Sequence, residues 1–295
     1  MAVSDPVQLQ RIIVGNNHGE KLVGILHETG SKELVIICHG FRSSKERIPM
    51  VNLAAAFANN GISAFRFDFT GNGESEGSFQ YGNYRREADE LRNVVEFFHA
   101  KKRLIAAVIG HSKGGNVVLL YASKYRDVST VVNISGRFNL ERGIGGRLGK
   151  DFLKRIKQSG FVDVKDRKGK IEYRVTEASL MDRLTTDMRA ASLAIQRNCR
   201  VLTVHGSKDE MIPVEDAMEF GKYIANHRLF VIELADHEYT SHQDELASVV
   251  LEFRLEDDPI TFCDCTASSL VINRLWVSGS SLAKMRCKFN QYSAT

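Results

Sequence analysis

Short apolar runs alternate with longer segments of mixed polarity along most of the chain. Residues 33–38 form a continuous apolar run, a pattern typical of strands that are buried on both faces, and residues 62–69 and 130–134 are predicted to be further buried strands. In residues 84–101, by contrast, apolar side chains recur at the spacing of one helix face. Strands that alternate with helices in this way predict a parallel sheet with helices on both sides.

The same patterning predicts the remaining elements. Residues 11–16 and 21–27 are separated by Asn16-Asn17-His18-Gly19, a turn sequence that predicts an antiparallel hairpin at the sheet edge. Further strands are expected at residues 105–109, 200–204 and 228–233, and further helices at 45–60, 116–125, 187–197 and 241–253 and directly after Pro213.

Two stretches depart from this alternation. Residues 137–188 are rich in glycine and basic residues, and we expect them to form a cap inserted over the C-terminal edge of the sheet. Their basic excess would either steer anionic substrates or form a solvated outer face. Residues 255–295 show no clean period, and we expect a weakly ordered tail. The predicted division is therefore a core at 1–136 and 189–254, a cap at 137–188 and a tail at 255–295.

Composition excludes several classes of protein. The 295 residues are 43% hydrophobic and 26% charged, and the net charge of +4 is too small to indicate a nucleic-acid partner. No apolar run is long enough for stable membrane insertion, and residues 1–10 lack the features of a secretory signal. Cys38 and Cys199 lie in apolar strand or strand-edge settings, which suits reduced thiols and a cytoplasmic location.

The strongest chemical signal is Gly110-His111-Ser112-Lys113-Gly114, which joins a predicted strand to a predicted helix. Glycines allow the backbone to double back tightly, and the serine then lies at a helix N-terminus, where free N–H groups favour negative charge. The five-residue pattern alone occurs by chance in many chains. The flanking strand and helix favour a functional interpretation, a nucleophile elbow.

A serine hydroxyl becomes a nucleophile only when a base takes its proton, and imidazole is the most suitable base near neutral pH. A carboxylate must then orient that imidazole. Asp209 and His237 each follow a predicted core strand, as Ser112 does, so all three should converge on one edge of the sheet.

Other histidines and acids compete for these two roles. His111 should point away from the serine, His39 and His205 should be packed, and His242 should fall inside the last helix. Glu210, Asp216 and Asp236 are the competing acids, with Asp236 expected to face solvent.

Cofactor and metal signals are weak. The glycines of residues 70–77 are not followed directly by a helix, as a dinucleotide fingerprint requires. Cys263-Asp264-Cys265 lacks the second pair that a zinc site needs. We therefore expect neither a cofactor nor a metal.

Several spaced motifs together resemble the α/β-hydrolase superfamily, and within it the serine aminopeptidase S33-like and cinnamoyl (feruloyl) esterase-like group. They are His39-Gly40-Phe41, the run Phe67-Asp68-Phe69-Thr70-Gly71-Asn72-Gly73-Glu74-Ser75, Gly110–Gly115, Asp209 with Ile212-Pro213, and Ala235-Asp236-His237. The resemblance covers about residues 7–253. It implies an α/β-hydrolase fold, with a mostly parallel central sheet, helices on both faces and an inserted cap.

The resemblance also implies roles. In such hydrolases the triad follows the chain order serine, acid, histidine, which matches Ser112, Asp209 and His237. The backbone N–H groups of Phe41 and Lys113 would form the oxyanion hole, although the segment around Phe41 also reads as a plain strand-to-helix loop. We expect the Lys113 side chain to point to solvent or to the cap.

The implied activity is that of a serine esterase that forms an acyl-enzyme on a small or medium acyl or aromatic ester. Hydroxycinnamate esters, monoacylglycerols, thioesters and peptides all remain open as substrates. The alternative is a small-molecule binding protein or receptor that keeps the pocket but has little turnover. Asn72, which stands where a histidine or an aromatic residue is common, and the tail after Leu255 depart from the family pattern.

Overall fold

The computed structural model describes residues 7–255 and a two-residue strand at 277–278. The strands are β1 (Gln8–Gly15), β2 (Lys21–Glu28), β3 (Glu33–Cys38), β4 (Ser63–Phe67), β5 (Leu104–His111), β6 (Thr130–Ile134), β7 (Phe161–Lys165), β8 (Ile171–Thr176), β9 (Arg200–Gly206), β10 (His227–Ile232) and β11 (Val277–Ser278). The helices are α1 (Ile48–Asn59), α2 (Tyr84–Ala100), α3 (Lys113–Tyr125), α4 (Ile144–Leu148), α5 (Phe152–Ser159), α6 (Glu177–Thr185), α7 (Met188–Ala194), α8 (Val214–Tyr223) and α9 (Gln243–Leu255).

One large sheet organises the fold, with strand order β1-β2-β4-β3-β5-β6-β9-β10-β11. Pairing is parallel from β4 through β3, β5, β6 and β9 to β10, and antiparallel where β1, β2 and β11 join the edges. This is an α/β-hydrolase fold, as the resemblance predicts. The C-terminal ends of β3, β5, β9 and β10 therefore open on the same edge of the sheet.

Helices cover both faces of this sheet, as the alternating pattern predicts. The core on one side packs side chains of α2, α3, α7 and α8 against the strands, and the core on the other side packs α1 and α9. Every residue of β4 and β6 is buried, including the polar residues Arg66 and Asn133, as expected for strands that are covered on both faces.

Helix boundaries shift slightly from the predicted ones. α1 begins at Ile48 rather than at Lys45, with Pro49 in its first turn, where a missing N–H costs nothing. Lys45 is instead held outside the helix, where its ammonium contacts the buried carboxylate of Asp68 at 2.7 Å. α9 begins at Gln243, so His242 lies just before the last helix and not inside it.

The segment between β6 and α7 packs around a small apolar cluster that Phe41, Phe79 and Tyr81 complete from outside the segment. It contains α4, α5, the antiparallel hairpin β7–β8 and α6, none of which is evident from its charged sequence. The segment is joined to the core by an ion pair of 2.8 Å between Arg42 and Glu172 and by a hydrogen bond of 2.7 Å from the Tyr84 N–H to Asp182. The division into core, cap and tail stays a prediction.

The remaining sequence expectations concern membrane spans, metal sites, the cysteines, the tail and the cellular location. No helix among the described residues is long and apolar enough to cross a membrane, and those residues contain no group of His, Cys, Asp and Glu that could hold a metal ion. Cys38 and Cys199 are buried free thiols. The tail, including Cys263-Asp264-Cys265, lies outside the described residues apart from β11. A cytoplasmic location stays a prediction.

Candidate active site

The turn between β5 and α3 places Ser112 at the C-terminal edge of the sheet. Ser112 has a φ of +56°, a conformation that side-chain-bearing residues rarely adopt. The glycines on either side are required by close approach. A Cβ added to Gly110 would lie 2.0 Å from the carbonyl oxygen of Gly114, and one added to Gly114 would lie 2.5 Å from that of Cys38. The strained turn at Ser112 therefore depends on the two glycines of the local sequence.

The structure brings Ser112, His237 and Asp209 together from three strand ends. The His237 Nε2 atom lies 3.0 Å from the Ser112 Oγ atom. On the other side of the ring, Nδ1 lies 2.7 Å from Asp209 Oδ2. A carboxylate accepts hydrogen bonds, so the Nδ1–H group donates to Asp209 and Nε2 is left to accept the serine proton. This is the arrangement that a serine nucleophile needs.

Asp209 is held in place by its own loop. Its Oδ1 atom accepts hydrogen bonds from the N–H groups of Met211 at 2.9 Å and Ile212 at 2.8 Å. Burial raises the pKa of this carboxyl, but the hydrogen bonds from His237 and from the backbone outweigh burial, and the pKa lies below its ordinary value. The side chain is fully buried beside the imidazole.

The loop after β3 passes directly over the serine. A Cβ added to Gly40 would lie 3.0 Å from the Ser112 Cβ, so a glycine is needed for this approach. His39 fixes the loop, since its Nδ1–H donates to the Gly40 carbonyl at 2.8 Å while Nε2 accepts the Phe69 N–H at 3.1 Å. Phe41 and Lys113 line the same cavity as Ser112. Their role as oxyanion donors stays a prediction.

His111 lies beside His237, while the expectation that its ring points away from Ser112 stays a prediction. Its Nε2–H donates to the backbone carbonyl of His237 at 2.8 Å, and the two rings lie 4.9 Å apart. Burial, followed by the effect of His237, lowers the pKa of His111 to about 4, so the ring is neutral. His111 therefore positions the backbone that carries His237. Its place inside the serine motif gave no sign of this contact.

The competing residues His205, Asp216 and Asp236 form hydrogen bonds with groups other than Ser112 and the His237 ring. His205 is buried and donates from Nε2 to the Ile212 carbonyl at 2.9 Å. Asp216, also buried, accepts from the Phe138 N–H at 2.9 Å and from Arg142 at 3.1 Å. Asp236, partly exposed, accepts from a nearby backbone N–H at 2.8 Å.

The Glu210 side chain contacts the backbone of His237 and not its imidazole ring. Its Oε2 atom accepts the His237 N–H at 3.4 Å, and the residue itself is exposed. It therefore does not take the place of Asp209 beside the imidazole.

The Lys113 side chain does not reach solvent, which corrects that part of the expectation for it. It is buried, its ammonium lies 2.6 Å from Glu87 Oε1, and it sits 5.0 Å from the centre of the Tyr84 ring. Burial raises the pKa of Glu87 to about 7, and Lys113 opposes that shift. The pair ties the first turn of α3 to α2, and so fixes the helix that carries the serine.

A cavity of about 340 Å³ opens beside Ser112, between the core and the inserted segment. Among the described residues, its lining combines aromatic rings with five cationic side chains and contains no carboxylate. The lining residues that matter below are Phe41, Tyr81, Tyr84, Lys113, Arg137, Arg142, Arg147 and Arg183. Such a lining accepts an apolar or aromatic group and disfavours a positive charge.

Comparison with known proteins identifies the family. The family described as serine aminopeptidase, S33, matches residues 29–196, more than half of the chain. The chain belongs to this family. It is accordingly an α/β-hydrolase and a hydrolase in activity. No curated protein matches the chain.

Solved structures of other hydrolases share its fold. Est1E from Butyrivibrio proteoclasticus, solved with ferulic acid bound, is 26% identical with a TM-score of 0.71, over 83% of this chain and 98% of Est1E. The α/β-hydrolase GrgF from Penicillium sp. sh18 is 17% identical with a TM-score of 0.72, over 85% of this chain and 99% of GrgF. The Pyrococcus furiosus esterase Pf2001 is 20% identical with a TM-score of 0.64, over 85% of this chain and 91% of Pf2001.

Proposed function

We propose that this hydrolase cleaves a carboxylic ester of a small or medium acyl or aromatic substrate through an acyl-enzyme. The observation that carries the proposal is the continuous chain of contacts from Ser112 Oγ to His237 Nε2 at 3.0 Å and from His237 Nδ1 to Asp209 Oδ2 at 2.7 Å. Both distances lie within the range that general-base catalysis requires.

The proposed mechanism uses these three side chains in two steps. Ser112 Oγ attacks the ester carbonyl while its proton passes to His237 Nε2, and the imidazolium is stabilised by Asp209. Collapse of the tetrahedral intermediate breaks the bond to the alcohol, which leaves with the proton from His237. Water then attacks the acyl-enzyme with His237 again as base, which releases the acid and restores the serine hydroxyl.

Two backbone N–H groups are proposed to stabilise the oxyanion. They belong to Phe41, in the loop that Gly40 allows to approach the serine, and to Lys113, the first residue of α3. The N-terminus of a 13-residue helix adds favourable potential for negative charge at the same place.

The cavity lining favours an ester over an N-terminal peptide. An enzyme that recognises a free α-amino group needs a carboxylate or other acceptors to hold the ammonium, because a charge is costly to desolvate unpaired. The described lining of this cavity has no Asp or Glu and five cationic side chains. The family's description as aminopeptidases therefore does not extend readily to this pocket. The cavity instead fits acyl or aromatic groups such as the ferulic acid held by Est1E.

The test is hydrolysis of a 4-nitrophenyl ester series and methyl ferulate, with alanyl and leucyl 4-nitroanilides as amide controls. Wild-type protein should turn over esters and not the aminoacyl anilides, and Ser112→Ala should lose ester turnover while its circular dichroism spectrum and unfolding midpoint stay the same. Preferential cleavage of the aminoacyl anilides would contradict the proposal. A single burst without turnover would favour the receptor alternative.

A further inference from the structure

The cavity beside Ser112 carries more positive charge than the surrounding protein neutralises. Of its five cationic side chains, Lys113 pairs with Glu87 at 2.6 Å and Arg142 pairs with Asp216 at 3.1 Å. The other three have no ion pair with any carboxylate among the described residues; they are Arg137, Arg147 and Arg183.

One of these unpaired arginines is buried and a second is half-buried. Arg183 is only 7% exposed, and its guanidinium donates to the backbone carbonyls of Leu140 at 2.8 Å and Arg142 at 3.1 Å. Arg137 is half-buried and donates to the Met211 carbonyl. These carbonyls orient the guanidinium groups without an ion pair. Burial, followed by the effect of Arg183, lowers the pKa of Arg137, and Asp216 and Asp209 oppose that shift.

Arg147 completes the group from the inserted segment. It lies on α4, with its guanidinium 4.6 Å from the centre of the Phe41 ring. Phe41 in turn packs edge-on against Tyr81 at 5.6 Å between ring centres. The cation is thus held at the aromatic wall of the cavity, close to the loop that approaches the serine.

A second, independent observation points to a missing partner at the same place. Tyr81 is fully buried, lines the cavity, and has a hydroxyl with no hydrogen-bond partner in the described structure. Arg183 lies 5.1 Å from the centre of its ring. Burial raises the pKa of this hydroxyl, and the positive charges of Arg183, Arg147 and Arg137 all oppose the rise. Buried hydroxyls are almost always hydrogen-bonded, and an orphan in a cavity is a candidate ligand contact.

We propose that this subsite binds an anionic oxygen group of the substrate, a carboxylate or a phosphate, held by Arg137, Arg147 and Arg183 and by the Tyr81 hydroxyl. This rests on the proposed ester hydrolysis and narrows its substrate class to acid-bearing esters. The anion supplies the charge that the three guanidinium groups lack, and arginine is the side chain best suited to fork-like contacts with such groups.

The test compares esters that differ only in charge. Monomethyl esters of adipic, pimelic and suberic acid are assayed beside methyl esters in which an isopropyl group replaces the free carboxylate. Acetates of ω-hydroxycarboxylic acids place the anion on the alcohol side, and methyl 6-(phosphonooxy)hexanoate replaces carboxylate with phosphate. At least one anionic ester should exceed its neutral counterpart in kcat/KM by about tenfold or more. The preferred anion identifies the group. A ratio of one or less for every pair overturns the proposal, even if ester turnover itself is established.

Variants locate the effect. Arg147→Gln and Arg137→Gln should each lower the anionic-to-neutral ratio by about tenfold, because each removes a charge-assisted contact. Arg167→Gln is the matched control, since Arg167 is an exposed arginine on the β7–β8 turn of the same inserted segment and outside the cavity. It should leave the ratio unchanged. Equal effects of Arg167→Gln and Arg147→Gln would indicate long-range electrostatics and overturn the subsite.

Binding to Ser112→Ala separates this proposal from the proposed reaction. Calorimetric titration of that variant with the preferred anionic ester and with its neutral counterpart measures affinity without turnover. Tighter binding of the anionic ester supports the subsite even if no ester is hydrolysed by the wild type. Equal or weaker binding overturns it. If no ester is hydrolysed, all the anionic esters are titrated.

Discussion

Two buried tyrosines should respond to the same substitution with opposite signs. Tyr81 and Tyr239 are both fully buried, but within the described structure only the Tyr239 hydroxyl, of these two, is hydrogen-bonded. It accepts a hydrogen bond from Ser135 at 2.8 Å and donates one to the Val204 carbonyl at 3.2 Å. Tyr→Phe removes one oxygen in each case and leaves the ring packing in place. The difference between the two variants therefore reports the hydrogen-bonding state of each hydroxyl.

The magnitudes follow from the cost of unpaired polar groups. A buried hydroxyl without a partner costs about 1–3 kcal/mol, so Tyr81→Phe should stabilise the unliganded protein by about 1 kcal/mol. Tyr239→Phe loses two hydrogen bonds and leaves the Val204 carbonyl without this donor, so it should destabilise by about 1–3 kcal/mol. For a domain of this size, 1 kcal/mol corresponds to a shift in Tm of about 2–4 °C.

Urea denaturation followed by circular dichroism, on the full chain and without ligand, measures both free energies of unfolding. Equal slopes of free energy against urea concentration would show that the denatured states are comparable. A loss of stability in Tyr81→Phe as large as that in Tyr239→Phe would refute the reasoning, because it would mean that the Tyr81 hydroxyl is already paired in the free protein.

Three further changes test the site and the buried histidines. Asp209→Asn should lower kcat by about 10⁴-fold at little cost in fold, measured with a 4-nitrophenyl ester, because the imidazole would adopt the wrong tautomer. Gly40→Ala places a methyl group 3.0 Å from the Ser112 Cβ and should lower kcat/KM by about 10²-fold, whereas Gly145→Ala, which meets no atom within 4 Å, should not. Burial lowers the pKa of His227 to about 4. Between pH 6.5 and about 4 the histidine is therefore protonated in the unfolded chain but not in the folded one, and the free energy of unfolding falls as the pH drops through this range. His227→Gln should reduce that slope by up to about 1.4 kcal/mol per pH unit in urea denaturation at stepped pH, and His18→Gln, a substitution of an exposed histidine, is measured in parallel as the control.

The sequence is most informative where function depends on local backbone and strand order. Gly110 and Gly114 mark the elbow because their neighbours leave no room for a Cβ, a constraint visible in the residue types themselves. Ser112, Asp209 and His237 are recognisable as a set because each follows an apolar run. The ends of parallel strands meet at one edge, so chain order alone predicts that the three converge.

Contacts between distant polar residues are beyond such reasoning. Glu87 and Lys113 lie on different helices and read as surface charges, yet they form a buried pair at 2.6 Å. His111 contacts the His237 backbone only because the loop after β10 folds over the elbow. Neither contact leaves a periodic signal, since each depends on how two elements pack.

The inserted segment illustrates a second limit. Its strands β7 and β8 are short and carry charges on their exposed faces, so the pattern of residues 161–176 gives little sign of a hairpin. The basic excess of the segment is visible in the sequence, but which arginines face the cavity depends on how the segment packs on the core. Arg147 lines the cavity while Arg167 stays on the outer turn.

The most direct test of the account is to trap the acyl-enzyme. Wild-type protein is mixed with a 4-nitrophenyl ester, quenched in acid within the first turnovers, digested and mapped by mass spectrometry, with Ser112→Ala treated in parallel. The account predicts an acyl adduct on the peptide that contains Ser112, at the serine itself, and neither adduct nor turnover in Ser112→Ala. Turnover that persists in Ser112→Ala, or an adduct confined to another residue, would contradict it.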